Sequence, residues 1–396
     1  MKVPFGLRQP PRPGPGRPRG QLHGPLSVGV ESSSATRSPV KTGWQLAPAS
    51  CHPLASRREP GLATVGRGQQ FMTDQPAVTV IMVHRARPES AVATAEALCD
   101  QEVPLRLVIV DNGSPARDLA TLRAAIPSAE VIELGSNTGF GPAANTGLRR
   151  WLDEGPAAGD WAVVCPHDAV VEPHCLERLL SAAKARPRAG LASAEYGDVG
   201  QYGTFGDRVL PTVNPWLGPI LETSDRRPGW EDADHPHGTL MILRRQCLEQ
   251  IGLFDERYFA YCEEAELGLR AQRAGWQVGV VWGAVVRNAG MTSEQGVPEY
   301  LMMRNSLMLQ RDHFGTQHAT VLFCLYLFHT VRGLLSPSRR TLYWHTRGRL
   351  LAMADFARGR YGPAPVVLSG ANKSTRSSHR AGTTLSNWPS SGRMSS

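Results

Sequence analysis

Between Phe254 and Leu267 the chain places five carboxylates (Asp255, Glu256, Glu263, Glu264, Glu266) among four aromatic rings (Phe254, Tyr258, Phe259, Tyr261). A carboxylate set beside rings is partly desolvated, which raises its pKa and suits it to accept a proton near neutral pH. The residue types point to proton transfer, metal binding or both. Two more polar groups close apolar runs: Asp111-Asn112-Gly113-Ser114 after Leu105–Val110, and His167-Asp168 after Trp161–Cys165. A strand-ending Asp can accept hydrogen bonds from a base imide or a ribose hydroxyl. The same tetrapeptide is also good turn chemistry. In Asn137–Gly147 the glycines permit close backbone approach, and the following helix offers N–H groups to an anion. Gly139, Gly141 and Ala144 spell G-x-G-x-x-A, but after the third strand rather than the first, which argues against a dinucleotide fingerprint.

These groups need a scaffold, and the patterning supplies one. Val78–His84 is continuous and β-branched, as a strand buried on both faces should be. Strands at Leu105–Val110, Glu130–Leu134 and Trp161–Cys165 alternate with helices over 90–99, 117–126 and 142–152. Strand–helix alternation with short links predicts a mostly parallel sheet flanked by helices, an α/β fold. In such sheets ligands bind beyond the carboxyl ends of the strands, where Asp111, Asn112 and His167-Asp168 fall. Residues 195–236, rich in Gly, Pro and Trp, are expected to form an irregular loop over the site. Beyond them the pattern predicts a strand at Thr239–Leu243, helices over 245–251 and 263–274, a strand over 277–286 and a helix over 298–313.

Charge is unevenly spread. Residues 1–71 hold 10 Lys+Arg against 2 Asp+Glu, and residues 336–396 hold 10 against 1, so 72–335 keeps 23 against 32. The basic pI belongs to the ends, and the body is acidic. A nucleic-acid partner needs basic charge on a folded face with interleaved aromatics, a requirement this distribution does not meet. Basic tails suit solvated disorder or an anionic membrane surface. We therefore expect a disordered leader over 1–75, with a functional start at Met72, and a disordered tail over 363–396. The seven cysteines form no C-x-x-C pair, as in a reduced, intracellular setting. An apolar patch from Val321 to Leu335 is interrupted by His329 and Arg332 and falls short of the ~20 residues of a span. It reads as an interfacial helix or as a helix packed on the body, within a helical extension over 316–362.

Together these motifs resemble the family 2 glycosyltransferases of GT-A fold, most closely their bacterial rhamnosyltransferase-like branch. The resemblance covers about Val78–His313. It rests on Val110–Ser114, Asn137–Leu148, Asp168–Pro173, Gly238-Thr239 leading to Arg244-Arg245, Gly252–Leu267 with Arg270 and Gly275-Trp276, and Arg304-Asn305. It implies a GT-A (Rossmann-like) domain over 76–315 and an inverting transfer from a nucleotide-diphosphate sugar, dTDP-rhamnose-like or a UDP-sugar. The acceptor would be a hydroxyl of a cell-envelope or lipid-linked glycan, reached from the cytoplasm as a peripheral protein at the inner face of the membrane.

By the same resemblance, Glu264 is the catalytic base and Glu263 its support. His84, Asp111, Asn112, Gly139, Asn145 and Arg287 bind the nucleotide sugar, Glu266 and Tyr261 face the acceptor, and Asp168 with His167 meets a Mn²⁺ or Mg²⁺.

The chain departs from the family pattern in three places. Pro166-His167-Asp168-Ala169 carries one acid where the family has two or three, the base is Glu rather than Asp, and Arg287-Asn288-Ala289-Gly290 replaces a metal-binding His. Arg287 can neutralise a diphosphate directly, so weak metal dependence is expected.

Blander readings stand beside these. Glu266 and Arg270, at i,i+4, suit a helix salt bridge as well as an acceptor contact. Asp255-Glu256 suits a turn, Tyr258, Phe259 and Tyr261 a core or pocket wall, and His167 a turn. His235 and His237 suit exposed loop positions. Two rival functions remain: a nucleotide-sugar-binding relative that has lost catalysis, and a sugar-phosphate nucleotidyltransferase. The second lacks glycines in His84-Arg85-Ala86-Arg87-Pro88, where that class has a Gly-rich basic loop.

Overall fold

The computed structural model of the protein describes residues 77–196, 209–224, 228–288, 296–340 and 344–368. The leader over 1–75, the start at Met72 and the tail from 369 onward lie outside these residues.

Val78–His84 (β1) is buried along its whole length, as its sequence demands. Pro88–Cys99 (α1) follows, with Pro88 in its first turn, and then Leu105–Asp111 (β2), Ala116–Ala125 (α2) and Glu130–Glu133 (β3). Phe140–Asp153 (α3), Trp161–Pro166 (β4), Ala169–Val171 (β5), Cys175–Lys184 (α4) and Ala189–Tyr196 (β6) come next. Side chains of β1 alternate between two cores. Val78, Val80 and Met82 pack with α1 and α4 on one face, and Ile81 and Val83 pack with α3 on the other. Arg245 closes the far end of α3. Its buried guanidinium donates to the Trp151, Leu152 and Gly159 carbonyls at 3.1–3.3 Å and stacks on Trp151. A cation placed there satisfies orphan carbonyls and complements the helix dipole.

The expected irregular loop over 195–236 holds more order than its composition suggests. Among the described residues, Val209–Asn214 (β7) and Gly218–Thr223 (β8) form an antiparallel hairpin, and Gly229–Asp232 (β9) joins the main sheet. Met241–Arg244 (β10), Arg245–Ile251 (α5), Glu263–Arg273 (α6) and Gln277–Asn288 (β11) complete the domain. The sheet runs β3-β2-β1-β4-β10-β6-β11-β5, with β9 also on β11. Its β3-β2-β1-β4 half is parallel, as expected, but β10 is antiparallel to both β4 and β6, so the whole sheet is mixed. The chain leaves β6 at the carboxyl edge and re-enters at β10 from that edge, and among the described residues no helix carries it across. Gly238-Thr239, which lead into β10, therefore lie at the same edge as the ends of β1, β2, β4, β6 and β11.

Three helices extend the domain: Gly296–Phe314 (α7), Thr316–Leu335 (α8) and Thr346–Ala357 (α9). By length and composition α8 suffices to cross a membrane, since it starts five residues before the apolar patch seen in sequence. Ala319, Leu322, Thr330 and Gly333 are its buried positions, whereas Leu327, Phe328, Val331, Leu334 and Leu335 are exposed. Both sequence readings of this helix thus describe a face of it. Residues 363–368 are described with the fold rather than with the tail: Leu368 is buried in the cluster of Tyr300 and Met353, while Val366 and Val367 stay exposed.

Gly139 begins α3 at φ +103°, and a Cβ there would stand 2.3 Å from the Phe259 carbonyl oxygen. Gly139→Ala is expected to destabilise the protein by about 3 kcal/mol or more, because strain and a backbone clash add. Gly135→Ala, at φ +71° with nothing within 4 Å, should cost about 1–2 kcal/mol. Thermal unfolding of the two variants side by side checks this, and equal losses would contradict it.

Candidate active site

The carboxyl edge gathers His84 from β1, Asp111-Asn112 from β2, His167-Asp168 after β4, and Arg287 near the end of β11. His84 and Asp111 form a buried pair, Nδ1 to Oδ1, at 2.9 Å. The His84 Nε2 accepts the Arg87 backbone N–H at 3.3 Å, so Nδ1 carries the proton donated to Asp111. Asp111 also accepts from the Ser114 backbone N–H at 3.0 Å and from the Ser114 hydroxyl. Burial alone would raise the Asp111 pKa, but these hydrogen bonds outweigh it and hold the carboxyl below its ordinary value. A carboxylate has about four acceptor positions, so one on Oδ2 is left for a ligand.

Asn112 and Asn145 serve the fold. The Asn112 amide donates to the Asn137 side chain at 3.1 Å and to the Gly139 carbonyl at 2.9 Å, while its oxygen accepts from Thr138 N at 2.7 Å. It staples β2 to the glycine loop. Asn145 grips both backbone groups of Phe254, donating to O at 2.8 Å and accepting from N at 3.0 Å, so its expected nucleotide contact is corrected to a tie between α3 and the acidic segment. Gly139 is also a close-approach glycine, but toward Phe259 rather than a ligand. The α3 amino end offers no open anion cradle at its first residue, because Phe140 N donates to the Phe259 carbonyl at 2.6 Å. Gly141 instead faces Glu263.

Asp168 lies in a turn between β4 and β5. The Thr94 hydroxyl on α1 donates to the carbonyls on either side, His167 at 2.8 Å and Ala169 at 3.0 Å, and so fixes the turn. Neither charge nor periodicity marks Thr94 in the sequence. His167 turns Nδ1 toward the Val83 carbonyl at 3.3 Å, and its buried Nε2 finds no partner among the described residues. Burial, the leading cause, lowers its pKa, so the imidazole is neutral. Arg287 is paired with Glu172 at 2.8 Å and is half-exposed, in a strand whose next residue, Asn288, pairs with Ala169 beside Asp168. Among the described residues no three His, Cys, Asp or Glu side chains gather closely enough to hold a metal by themselves. A donor set of one carboxylate fits a cation whose remaining ligands come from a substrate diphosphate and water, the usual manner of Mg²⁺.

The acidic segment divides by partner. Asp255 is engaged by Arg257 at 2.9–3.0 Å, and Glu256 by Arg149 at 2.5 Å and Asn145 at 3.1 Å; both shape the turn. Glu266 is held by Arg270 at 2.6–2.7 Å and lies 3.4 Å from His313. Arg270 also donates to the Ile251 and Leu253 carbonyls. Glu266 is therefore a strut between α6 and the preceding turn, and its expected acceptor contact is corrected. Tyr261 packs with Phe259 and Ala260 against the Tyr300, Leu301 and Met303 cluster of α7. Tyr258 is wholly buried.

Glu263 and Glu264 open α6. Glu263 is buried, and its Oε2 finds no hydrogen-bond partner among the described residues. Burial, and then the neighbouring Glu264, push its pKa well up. Glu264 is partly exposed, and burial raises its pKa from 4.5 to about 7. A Cβ placed on Gly238 would stand 3.8 Å from the Glu264 carboxyl, so glycine leaves space above the acid. Around Gly238, the rings of His237 and Tyr196 stack at 4.4 Å. Contrary to the expectation of an exposed loop, His235 is buried against α6, and burial lowers the pKa of both histidines to about 4. They add no positive charge near neutrality. Glu264 is thus the one acid of the five that combines an opening with a pKa suited to taking a proton at neutral pH.

Residues 79–252 match the family model Glycosyl transferase family 2. Over 202 residues the chain is 31% identical to an N-acetylglucosaminyl-diphospho-decaprenol L-rhamnosyltransferase of Mycobacterium tuberculosis, covering 44% of this chain and 63% of that protein. It is 26% identical over 188 residues to a low-salt glycan biosynthesis hexosyltransferase of Haloferax volcanii, covering 43% of this chain and 55% of that protein. The match thus spans less than two thirds of either relative. Among solved structures, a mannosyltransferase from Pyrobaculum calidifontis in complex with GDP-Man and Mn²⁺ aligns over 72% of this chain and 87% of its own, at 16% identity and TM-score 0.46. GalNAc-T7 with UDP, GalNAc and Mn²⁺ aligns over 72% and 56%, at 11% identity and TM-score 0.49. Residues 79–252 are thus similar to the family 2 glycosyltransferases. The chain's relatives by sequence include a rhamnosyltransferase, and its fold is a mixed sheet flanked by helices with a helical C-terminal region.

A carboxyl whose pKa is raised to about 7 weakens the fold that holds it. Because folding raises the Glu264 pKa, its neutral form is favoured, and the burial penalty appears as pH rises from 4.5 through about 7. Glu264→Gln should therefore be more stable than the parent at pH 8, by about 1–3 kcal/mol or several degrees in Tm. The gain should shrink to near zero at pH 4.5. A pH-independent difference in thermal unfolding would contradict the assignment.

Proposed function

We propose that the protein is an inverting glycosyltransferase that moves a sugar from a nucleotide-diphosphate donor, dTDP-rhamnose-like or a UDP-sugar, to a hydroxyl of a lipid-linked glycan. The observation that carries this reading is Glu264, partly open beside Gly238, tuned to about 7, and set at the same sheet edge as Asp111 and Asp168. Glu264 takes the proton of the acceptor hydroxyl as its oxygen attacks the anomeric carbon from the face opposite the diphosphate. The anomeric C–O bond breaks, and its electron pair leaves with the nucleoside diphosphate. Glu263, buried and protonated, keeps a second negative charge away from the base. Asp111, oriented by His84 and Ser114, offers its remaining acceptor position to the nucleotide. Asp168, with the donor's phosphate oxygens, would hold a Mn²⁺ or Mg²⁺, which supplies positive charge to the departing diphosphate. Arg287 can leave its exposed pairing with Glu172 at little cost and add charge there. The sparse metal donor set also favours a second reading, a donor-binding relative with weakened catalysis.

A thermal-shift and turnover screen with UDP- and dTDP-sugars, with and without Mn²⁺, tests this. One donor class should raise Tm, and nucleoside diphosphate should be released, with EDTA reducing rather than abolishing the rate. Glu264→Gln should keep the Tm shift and lose ~10²–10⁴-fold in release. Donor binding with no release, and no effect of Glu264→Gln, would establish the second reading instead.

The lipid-linked acceptor suits a protein seated at the cytoplasmic membrane face. The exposed stripe of Phe328, Val331 and Leu335 on α8 is followed by a basic segment, 336–396, with 10 Lys+Arg against 1 acid. The full chain should co-sediment with vesicles containing phosphatidylglycerol. Phe328→Ser with Leu335→Ser should weaken this at least tenfold, and binding should fall as NaCl rises from 0.1 to 0.5 M. Equal binding to neutral phosphatidylcholine vesicles, or none to either, would contradict a surface seat.

A further inference from the structure

The backbone that delivers Glu263 and Glu264 to the edge is strained. Phe259, Tyr261 and Cys262 sit at φ +65°, +68° and +70°, three non-glycine residues in the left-handed half of conformational space within four positions. Each costs about 1–3 kcal/mol and persists only where surrounding contacts over-determine it. Here the contacts come from two neighbouring residues of α7. The Asn305 amide nitrogen donates to the carbonyls of Tyr258 at 2.9 Å, Ala260 at 2.8 Å and Tyr261 at 2.7 Å. The Asn305 oxygen accepts two N–H groups of Arg304, at 2.9 and 3.1 Å, which fixes the amide in the orientation that points its nitrogen at the turn. Arg304 donates further to the Tyr258 carbonyl at 3.4 Å and the Tyr300 hydroxyl at 3.2 Å. The Tyr300 hydroxyl in turn donates to Asp355 on α9 at 2.9 Å. All four side chains are buried, where such bonds are costly to lose.

We propose that Asn305, oriented by Arg304 and backed through Tyr300 by Asp355, is a positioning residue that holds the Tyr258–Cys262 turn and so aims Glu264 at the acceptor. The C-terminal extension thereby becomes part of the catalytic apparatus without touching substrate. A chain folded only through β11 would present the base on a turn free to relax.

Two readouts on the full-length protein test this. In hydrogen exchange, Asn305→Ala and Tyr300→Phe should speed exchange of peptides covering 258–267 tenfold or more, while peptides of β1, β2 and β4 stay within twofold. Asp355→Asn keeps an acceptor for the Tyr300 hydroxyl and should retain the parent exchange pattern. In donor turnover with dTDP-rhamnose or the UDP-sugar that the screen selects, Asn305→Ala should lower kcat at least tenfold and leave the donor KM within twofold. Exchange that rises evenly over the whole chain, or kcat that holds while 258–267 loosens, would overturn the proposal. The kinetic arm rests on Glu264 as base and the exchange arm does not. If the parent releases no nucleoside diphosphate from any donor, the functional reading falls, and the exchange arm still decides the clamp.

Discussion

The chain turns three times through left-handed conformations between Phe259 and Cys262, and much of the site is organised around that turn. The Phe259 carbonyl faces α3 and takes the Phe140 N–H, which requires glycine at position 139. The Tyr258, Ala260 and Tyr261 carbonyls face α7 and take the Asn305 amide. Cys262, at the end of the turn, accepts the first N–H bond of α6 from Glu266. One short segment thus joins α3 beside the parallel half of the sheet, the helical extension and the helix that carries the two acids. Aromatic side chains at 258, 259 and 261 keep water out of it, which strengthens each hydrogen bond and raises the penalty for losing one.

The same geometry sorts the five acids. Those with an arginine in reach, Asp255, Glu256 and Glu266, are held ionised and spend their charge on structure. The two at the start of α6 have no cation bonded to them among the described residues, and burial drives their pKa values up. Partner supply therefore separates structural from chemical acids here. The strand ends show the converse arrangement. Asp111 is kept ionised by donors, and the turn after β4 carries one carboxylate between carbonyls braced by Thr94.

Much of this was legible in the residues. β1, β2 and β4 are largely apolar runs containing β-branched residues, and their dihedral preference and burial coincide, so their bounds fall within a residue of those expected. The polar residues ending those strands mark the carboxyl edge of the sheet, and the carboxylate-and-ring segment around Glu264 is visible by composition alone. The Glu266–Arg270 spacing offered two readings that sequence could not separate, since an i,i+4 pair looks the same whether or not another element covers it. His313, on α7, is the cover.

Long-range contact decided the rest. By resemblance Asn112 and Asn145 are expected to meet the nucleotide sugar, and the backbone groups they bond come from residues 26 to 109 positions away. The direction of β10 depends on the edge from which the chain re-enters the sheet, which no local propensity encodes. Positive φ at Phe259, Tyr261 and Cys262 runs against what side chains of those types prefer, and the carbonyls along that stretch are bonded from far off in sequence: Phe259 by Phe140, and Tyr258, Ala260 and Tyr261 by Asn305, more than forty residues on. The residue types around the Glu264 segment therefore announced acid–base chemistry. Which acid performs it follows from partners that the chain brings together only by folding.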